Sequence, residues 1–184
     1  MKKSVFDVVV IGAGSGLRIS STAAERNLRV AVIDEGPFGG TCLNRGCIPS
    51  KMLIHVADVL EVIRKAQAFG ITAKTTKIDW RAVQRRVWNV VDGEAKGIEH
   101  ANRKLKNVKV YRERVAFVGH KLLKVGNEYL TAEKIFICAG TRPSIPPFFG
   151  LGGVKHETSD TVMRLRERPK SMIILGGGYI AAEL

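Results

Sequence analysis

The sequence predicts an α/β fold with a central parallel sheet, a helical excursion and a β-meander. Three observations predict it. Val5 to Ile11 and Val30 to Ile33 are short apolar runs of the kind buried on both faces of a parallel sheet, and a helical stretch through Arg26 separates them. Gly12-Ala13-Gly14-Ser15-Gly16-Leu17 joins the first run to that helix. From Val108 to Tyr129, alternating segments are divided by the turn signals Gly119-His120 and Gly126-Asn127.

Taken in order, the first strand, glycine loop, helix and second strand end in Asp34, 22 residues after Gly12. This order matches the dinucleotide-binding fingerprint, in which loop amides and the helix N-terminus take a pyrophosphate and the acid takes a ribose hydroxyl. The alternative is a tight turn that binds nothing. One position departs from the pattern: the third glycine site holds Leu17, where a small residue normally lets helix and strand pack closely. Gly16, one position earlier, is placed to relieve that crowding.

Next comes Gly39-Gly40-Thr41-Cys42-Leu43-Asn44-Arg45-Gly46-Cys47-Ile48-Pro49-Ser50-Lys51. On one regular helix, residues five apart have Cα atoms roughly 8.7 Å apart, whereas a disulfide needs less than about 7 Å. A bond between Cys42 and Cys47 therefore requires the backbone to bend between them, and Gly46 tolerates that at least cost. Pro49 suits a fresh first helical turn. A sulfur at Cys47 would then lie near a positive helix end, with Arg45 and Lys51 close in sequence, an arrangement suited to a thiolate. Zinc would need four ligands, whereas the one other cysteine in the chain is Cys138 and His55 is the one imidazole nearby in sequence. Two unrelated buried thiols are the competing reading of what is otherwise a catalytic dithiol.

A helical pattern runs from Pro49 to Ala68, with Leu53, Val56, Leu60 and Ile63 on one stripe, until Gly70 stops it. Gly70 to Lys77 is a polar connector. A basic amphipathic helix follows, with Trp80, Val83, Val87, Val91, Ile98, Ala101 and Leu105 on its apolar face and Arg81, Arg85, Arg86, Lys96, Arg103 and Lys104 behind. After the meander, Lys134 to Cys138 reads as a buried strand returning to the main sheet. Pro143, Pro146, Pro147, Gly150, Gly152 and Gly153 then mark a boundary.

These residues carry a family resemblance. The dithiol segment, about two dozen residues after the glycine fingerprint, resembles that of the class I pyridine nucleotide-disulfide oxidoreductases, which include dihydrolipoyl dehydrogenase and the glutathione, mercuric and mycothione reductases. Ile135-Phe136-Ile137-Cys138-Ala139-Gly140-Thr141-Arg142-Pro143 is similar to the family's second flavin-domain motif. Ile173-Ile174-Leu175-Gly176-Gly177-Gly178-Tyr179-Ile180-Ala181-Ala182-Glu183-Leu184 is similar to the opening of its nicotinamide-nucleotide domain.

The resemblance implies a Rossmann-like FAD-binding domain over residues 1–148, a connector over 149–170, and the truncated start of a second Rossmann-like domain, for NAD or NADP, over 171–184. It implies that Cys47 faces the flavin while Cys42 exchanges with substrate, and that Lys51 approaches the flavin and pairs with Glu183. FAD contacts would come from Gly12, Gly14, Ser15, Gly16, Asp34, Glu35, Gly40, Thr41, Cys42, Cys47, Lys51, Val115, Ala139, Gly140 and Thr141. Nicotinamide-nucleotide contacts would come from Gly176, Gly178, Tyr179 and Ile180. The implied partner is a small-molecule or carrier-bound dithiol or disulfide, with a homodimeric parent. In the dihydrolipoyl dehydrogenase direction the substrate dithiol is oxidised; the alternatives are a mercuric, mycothione or glutathione-type reductase, or a non-catalytic FAD-binding fragment. A βαβ unit needs about 30 residues, so the second fingerprint is expected to continue beyond residue 184 in a longer enzyme, and the fragment to lack steady turnover.

Composition fits this reading. The 184 residues suffice for one substantial core, and three cysteines are too few for a disulfide scaffold. Met1-Lys2-Lys3 before an apolar run resembles a signal peptide, but Asp7 interrupts it and the glycine loop accounts for the run. No apolar stretch is long enough to span a membrane, and a cytoplasmic protein is expected. Thirty basic against 17 acidic residues, net +13, raise the question of nucleic acid. No nucleic-acid motif accompanies them, so a solvated basic face is expected, with an acidic protein partner as the alternative. His55 lies about one helical turn from Lys51 and could approach a flavin. His100, His120 and His156 have no metal or triad spacing.

Overall fold

The structure, a computed structural model, describes residues 3–184. Met1 and Lys2, which began the basic start weighed above, lie outside the described residues. The chain divides into two compact units, the first running to Asn44 and resuming over Asp92–Thr141, the second formed by Arg45–Val91 and Arg142–Leu184.

The first unit is built on six strands: β1 (Lys3–Ile11), β2 (Val30–Ile33), β3 (Val108–Tyr111), β4 (Val115–Gly119), β5 (Leu122–Val125) and β6 (Glu128–Ile137). Their order is β3-β2-β1-β6-β5-β4. The first four in that order pair in parallel, and β6, β5 and β4 pair antiparallel. Residue alternation divides the core between the sheet's faces. Val8 and Val10 join Val30, Val32 and Val108 with Ala23 and Ala24 of α1 (Leu17–Glu25), while Val9 and Ile11 join Ile33, Leu123 and Leu130. The register sets Ile11 opposite Ile33 and Ile137, and Ile33 opposite Tyr111. Four parallel strands thus end level, and ligands of such sheets bind at that carboxyl edge.

Two strand assignments differ from the sequence reading. Val108–Tyr111 is not the first strand of the meander but a parallel strand beside β2. Asn107 explains this: its Nδ2 donates to the Ala24 and Leu28 carbonyls at 2.8 and 2.9 Å, and its own carbonyl accepts from Val30 N–H at 2.9 Å, tying the start of β3 to the α1–β2 turn. The returning strand also starts earlier than Lys134. Continuous from Glu128, β6 is the last meander strand in its first half and a main-sheet strand throughout. Its later part is less buried than expected, with Ile137 68% exposed, because β5 pairs with it only through Thr131.

In the second unit, α3 (Cys47–Lys65) starts two residues before Pro49, which occupies its first turn and is buried. A 3-10 turn (Ala66–Phe69) ends at Gly70, whose φ of 74° is left-handed. Glu61, bonded to Arg64 and Lys65 in the last turn, has its carboxyl held down to about 2 by those two cations. The basic helix is α4 (Trp80–Lys104); its residues through Val91 belong to this unit. Val87 and Val91 are fully buried and Arg81, Arg85 and Arg86 exposed, but the apolar stripe fades beyond Ala95, so that Ala101 and Leu105 are exposed. The segment after Thr158 docks on α4: Trp80 Nε1 donates to the Leu165 carbonyl at 3.0 Å and Gln84 Nε2 to the Met163 carbonyl at 3.1 Å. The Arg164 guanidinium lies 3.7 Å from the Trp88 ring centre. Near the end, Tyr179–Glu183 form α5, but Ile173–Leu175 have no ladder partner among the described residues. A strand exists only through its neighbours' hydrogen bonds. Among the described residues no helix is long and apolar enough to cross a membrane.

Candidate functional site

The carboxyl edge of the parallel sheet carries the glycine fingerprint, and sterics explain each glycine. Gly12 has φ 107°, and a β-carbon there would stand 2.1 Å from the Cys138 carbonyl oxygen. Gly16 carries the close packing expected of the third fingerprint position, since a β-carbon on it would meet the Gly12 carbonyl and Val10 at 2.7 Å. Leu17 is accommodated because it begins α1 one residue later and packs on the valine-lined face of the sheet. The second motif is therefore in direct contact with the first: Cys138 N–H donates to the Ile11 carbonyl at 2.7 Å, and Ala139, Gly140 (φ 69°) and Thr141 continue outward from there.

Asp34 closes the loop from the other side. Its Oδ2 accepts from Ala13 N–H at 2.6 Å and its Oδ1 from Gly36 N–H at 2.8 Å. A carboxylate has about four acceptor sites, so capacity remains for a ribose hydroxyl. Glu35 is exposed and faces Arg114 at 3.7 Å, while Val115 opens β4, half-buried. Ser15 is exposed at the loop's tip.

Cys42 belongs to the short helix α2 (Gly40–Arg45) and is exposed, as is Thr41. The turn that launches α2 is packed against the fingerprint: Gly39 N–H donates to the Ala13 carbonyl at 2.8 Å, and a β-carbon on Gly14 would lie 3.2 Å from the Gly40 Cα. Asn44, which the sequence reading passed over, is buried beneath this turn.

Cys47 is the first residue of α3 and is exposed. The helical backbone breaks between the two cysteines at Gly46 (φ −139°, ψ −121°). One turn along α3, Lys51 Nζ donates to Glu183 Oε1, and Ser50 Oγ donates to Glu183 Oε2 at 3.3 Å. The Lys51 hydrogen bond holds the Glu183 carboxyl below the usual glutamate range. Arg45 is held by Asp160 at 3.3 Å, and Arg142 approaches the same carboxylate at 3.8 Å. That link spans 115 residues, and no local signal announces Asp160. His55 sits instead 3.8 Å from Asp58 on the exposed side of α3. Gly176 (φ 126°) and Gly178 precede α5, which Tyr179 and Ile180 begin; all four are exposed. Among the described residues no cluster of histidine, cysteine and carboxylate groups is fit for a metal ion.

Comparison with known proteins bears on these features. The family model for the pyridine nucleotide-disulphide oxidoreductases matches residues 6–184. The chain belongs to this family. Mycothione reductase from Mycobacterium tuberculosis is 42% identical over 186 residues, covering 97% of this chain and 40% of that protein. Dihydrolipoyl dehydrogenase from Bacillus subtilis is 33% identical over 192 residues, covering 97% of this chain and 40% of that protein. Among solved structures, the HOCl-induced flavoprotein disulfide reductase RclA from Escherichia coli superposes with a TM-score of 0.81 at 31% identity, over 96% of this chain and 38% of that one. The chain thus spans about 40% of the length of the curated relatives it matches.

Pyridine nucleotide-disulphide oxidoreductases use FAD with NAD or NADP, and the first unit fits the flavin nucleotide. The fingerprint presents bare backbone at Gly12, Gly14 and Gly16 at the start of α1, where the helix dipole favours an anion. Asp34 follows the end of β2 with acceptor capacity to spare.

Proposed function

We propose that residues 1–148 hold FAD, that residues 149–170 connect, and that residues 171–184 open a nicotinamide-nucleotide domain of a disulfide oxidoreductase. Its redox-active pair is Cys42 and Cys47. The observation that carries this reading is the break of the helical backbone at Gly46 between two exposed cysteines, with the second opening a new helix.

In the reductive direction the Cys42 thiolate attacks one sulfur of a substrate disulfide, forming a mixed disulfide and releasing the first substrate thiol. Cys47 then attacks the Cys42 sulfur, which releases the second thiol and closes the Cys42–Cys47 bond. The pair has lost two electrons and the two substrate thiols have gained them, with two protons. When bound, FAD supplies the two-electron chemistry that couples this pair to NAD or NADP. Lys51, fixed by Glu183, stands one turn along α3 from Cys47.

For the substrate, 42% identity to a mycothione reductase favours a low-molecular-weight disulfide. The 33% identity to a dihydrolipoyl dehydrogenase favours the opposite direction, oxidation of a carrier-bound dithiol. We propose further that the parent is a homodimer working in the cytoplasm, where thiols are kept reduced.

Anaerobic titration of the FAD-reconstituted chain with a dithiol tests the proposal. A long-wavelength absorption band that disappears in Cys47→Ser supports it. Bound flavin whose spectrum ignores both cysteines supports a non-catalytic FAD-binding module instead.

A further inference from the structure

Asn44 is 5% exposed, and its bonding is one-sided. Nδ2 donates to the carbonyls of Pro37, Phe38 and Gly40 at 3.2, 2.9 and 3.0 Å. Its Oδ1 is buried and accepts no hydrogen bond among the described residues. Exchanging the two ends would set an oxygen against three carbonyl oxygens, so this side chain serves as a donor and nothing else.

The three carbonyls belong to one turn with an unusual backbone, since Gly39 and Gly40 have φ values of 103° and 65° in succession. Every other anchor of that turn is rigid. Phe38 is fully buried, Gly39 N–H is spent on Ala13, and Gly40 rests on Gly14. Two residues beyond Gly40 comes Cys42, and two residues beyond Cys42 comes Asn44 itself. The donor therefore closes a ring of contacts that includes the nucleotide loop, the turn and the helix bearing Cys42.

We infer that Asn44 is a positioning residue that fixes Cys42 to the nucleotide loop through its amide donors, so that FAD affinity and Cys42 reactivity depend on the same side chain. The inference rests on the proposed role of Cys42, but its test requires no turnover and is read separately from that role.

Two properties of the 184-residue chain are measured: FAD affinity by flavin fluorescence, and the rate of Cys42 alkylation by iodoacetamide, resolved by peptide mass spectrometry with Cys138 as internal reference. Asn44→Asp is the decisive variant because it keeps the shape and removes the donors. Loss of several donor bonds to buried carbonyls is expected to weaken FAD about tenfold and to change the Cys42 rate about fivefold, with Cys138 unaltered. Acidification, which returns one O–H donor to the introduced carboxyl, is expected to restore part of the FAD affinity relative to the wild type at the same pH, a response that a space-filling role would not show. Asn44→Ala should lose both without the acid rescue.

FAD affinity and Cys42 alkylation within twofold of the wild type in Asn44→Asp would overturn the inference. Should neither variant fold, exchange of the Asn44 side-chain amide protons in the wild-type chain decides by NMR: slow exchange upholds the clamp and solvent-rate exchange refutes it. Failure of the dithiol proposal alone would leave these results intact and remove only the spectral effect of Cys47→Ser.

Discussion

Gly14 and Gly40 meet backbone to backbone, so closely that a β-carbon on Gly40 would stand 2.6 Å from the Gly14 Cα. The contact joins the glycine loop, to which dinucleotide binding is proposed above, to the turn that launches the Cys42 helix. Cofactor binding and thiol placement therefore share one steric constraint.

Gly40→Ala should accordingly damage both. Its φ of 65° alone costs a side chain roughly 1–3 kcal/mol, and the collision with backbone adds to that. Gly70→Ala, with φ 74° but nothing within 4 Å of the new β-carbon, carries only the conformational cost. Thermal unfolding and FAD titration of the two variants should show a larger loss of stability in Gly40→Ala, and a loss of flavin affinity in that variant alone.

Gly12→Ala tests the contact between the first and second motifs. The added carbon would lie 2.1 Å from the Cys138 carbonyl, and backbone cannot swing aside as a side-chain tip can. The expected outcome is a drop in melting temperature greater than that of Leu123→Ala. Leu123 is fully buried, and its truncation should cost about 2–5 kcal/mol; chemical denaturation of both variants ranks them.

The Lys51–Glu183 link predicts a pH dependence whose sign follows from the lowered Glu183 carboxyl. A carboxylate whose folded pKa lies below its unfolded value contributes stability at neutral pH and loses it as pH falls through the folded pKa. Acid should therefore release α5 from α3, whereas Glu183→Gln should show the released state at neutral pH and no further change on acidification. Hydrogen exchange of the Tyr179–Glu183 amides between neutral pH and acid below the ordinary glutamate range reads the difference. Because both groups are largely exposed, salt should weaken the link as well.

Much of this architecture was legible because the signals are local. Apolar runs marked β1 and β2, Gly70 marked a helix end through a left-handed residue, and the glycine loop and Asp34 announced their place at the sheet's carboxyl edge. What escaped depended on distant partners. Val108–Tyr111 alternates like a meander strand, and only the reach of Asn107 to Ala24 and Leu28 assigns it to the parallel sheet. Asp160 gains its meaning from Arg45, far away in sequence. Asn44 lay inside the motif already singled out, but its importance is the donation of one amide to three carbonyls, which residue type alone does not reveal.

Mapping disulfides after the reduced chain meets one equivalent of a small-molecule disulfide decides whether Cys42 and Cys47 act as one redox pair. Peptide mass spectrometry is expected to show loss of two hydrogen atoms, a Cys42–Cys47 crosslink and an unmodified Cys138. A stable mixed disulfide on Cys42 with Cys47 still reduced, or a crosslink to Cys138, would contradict the account.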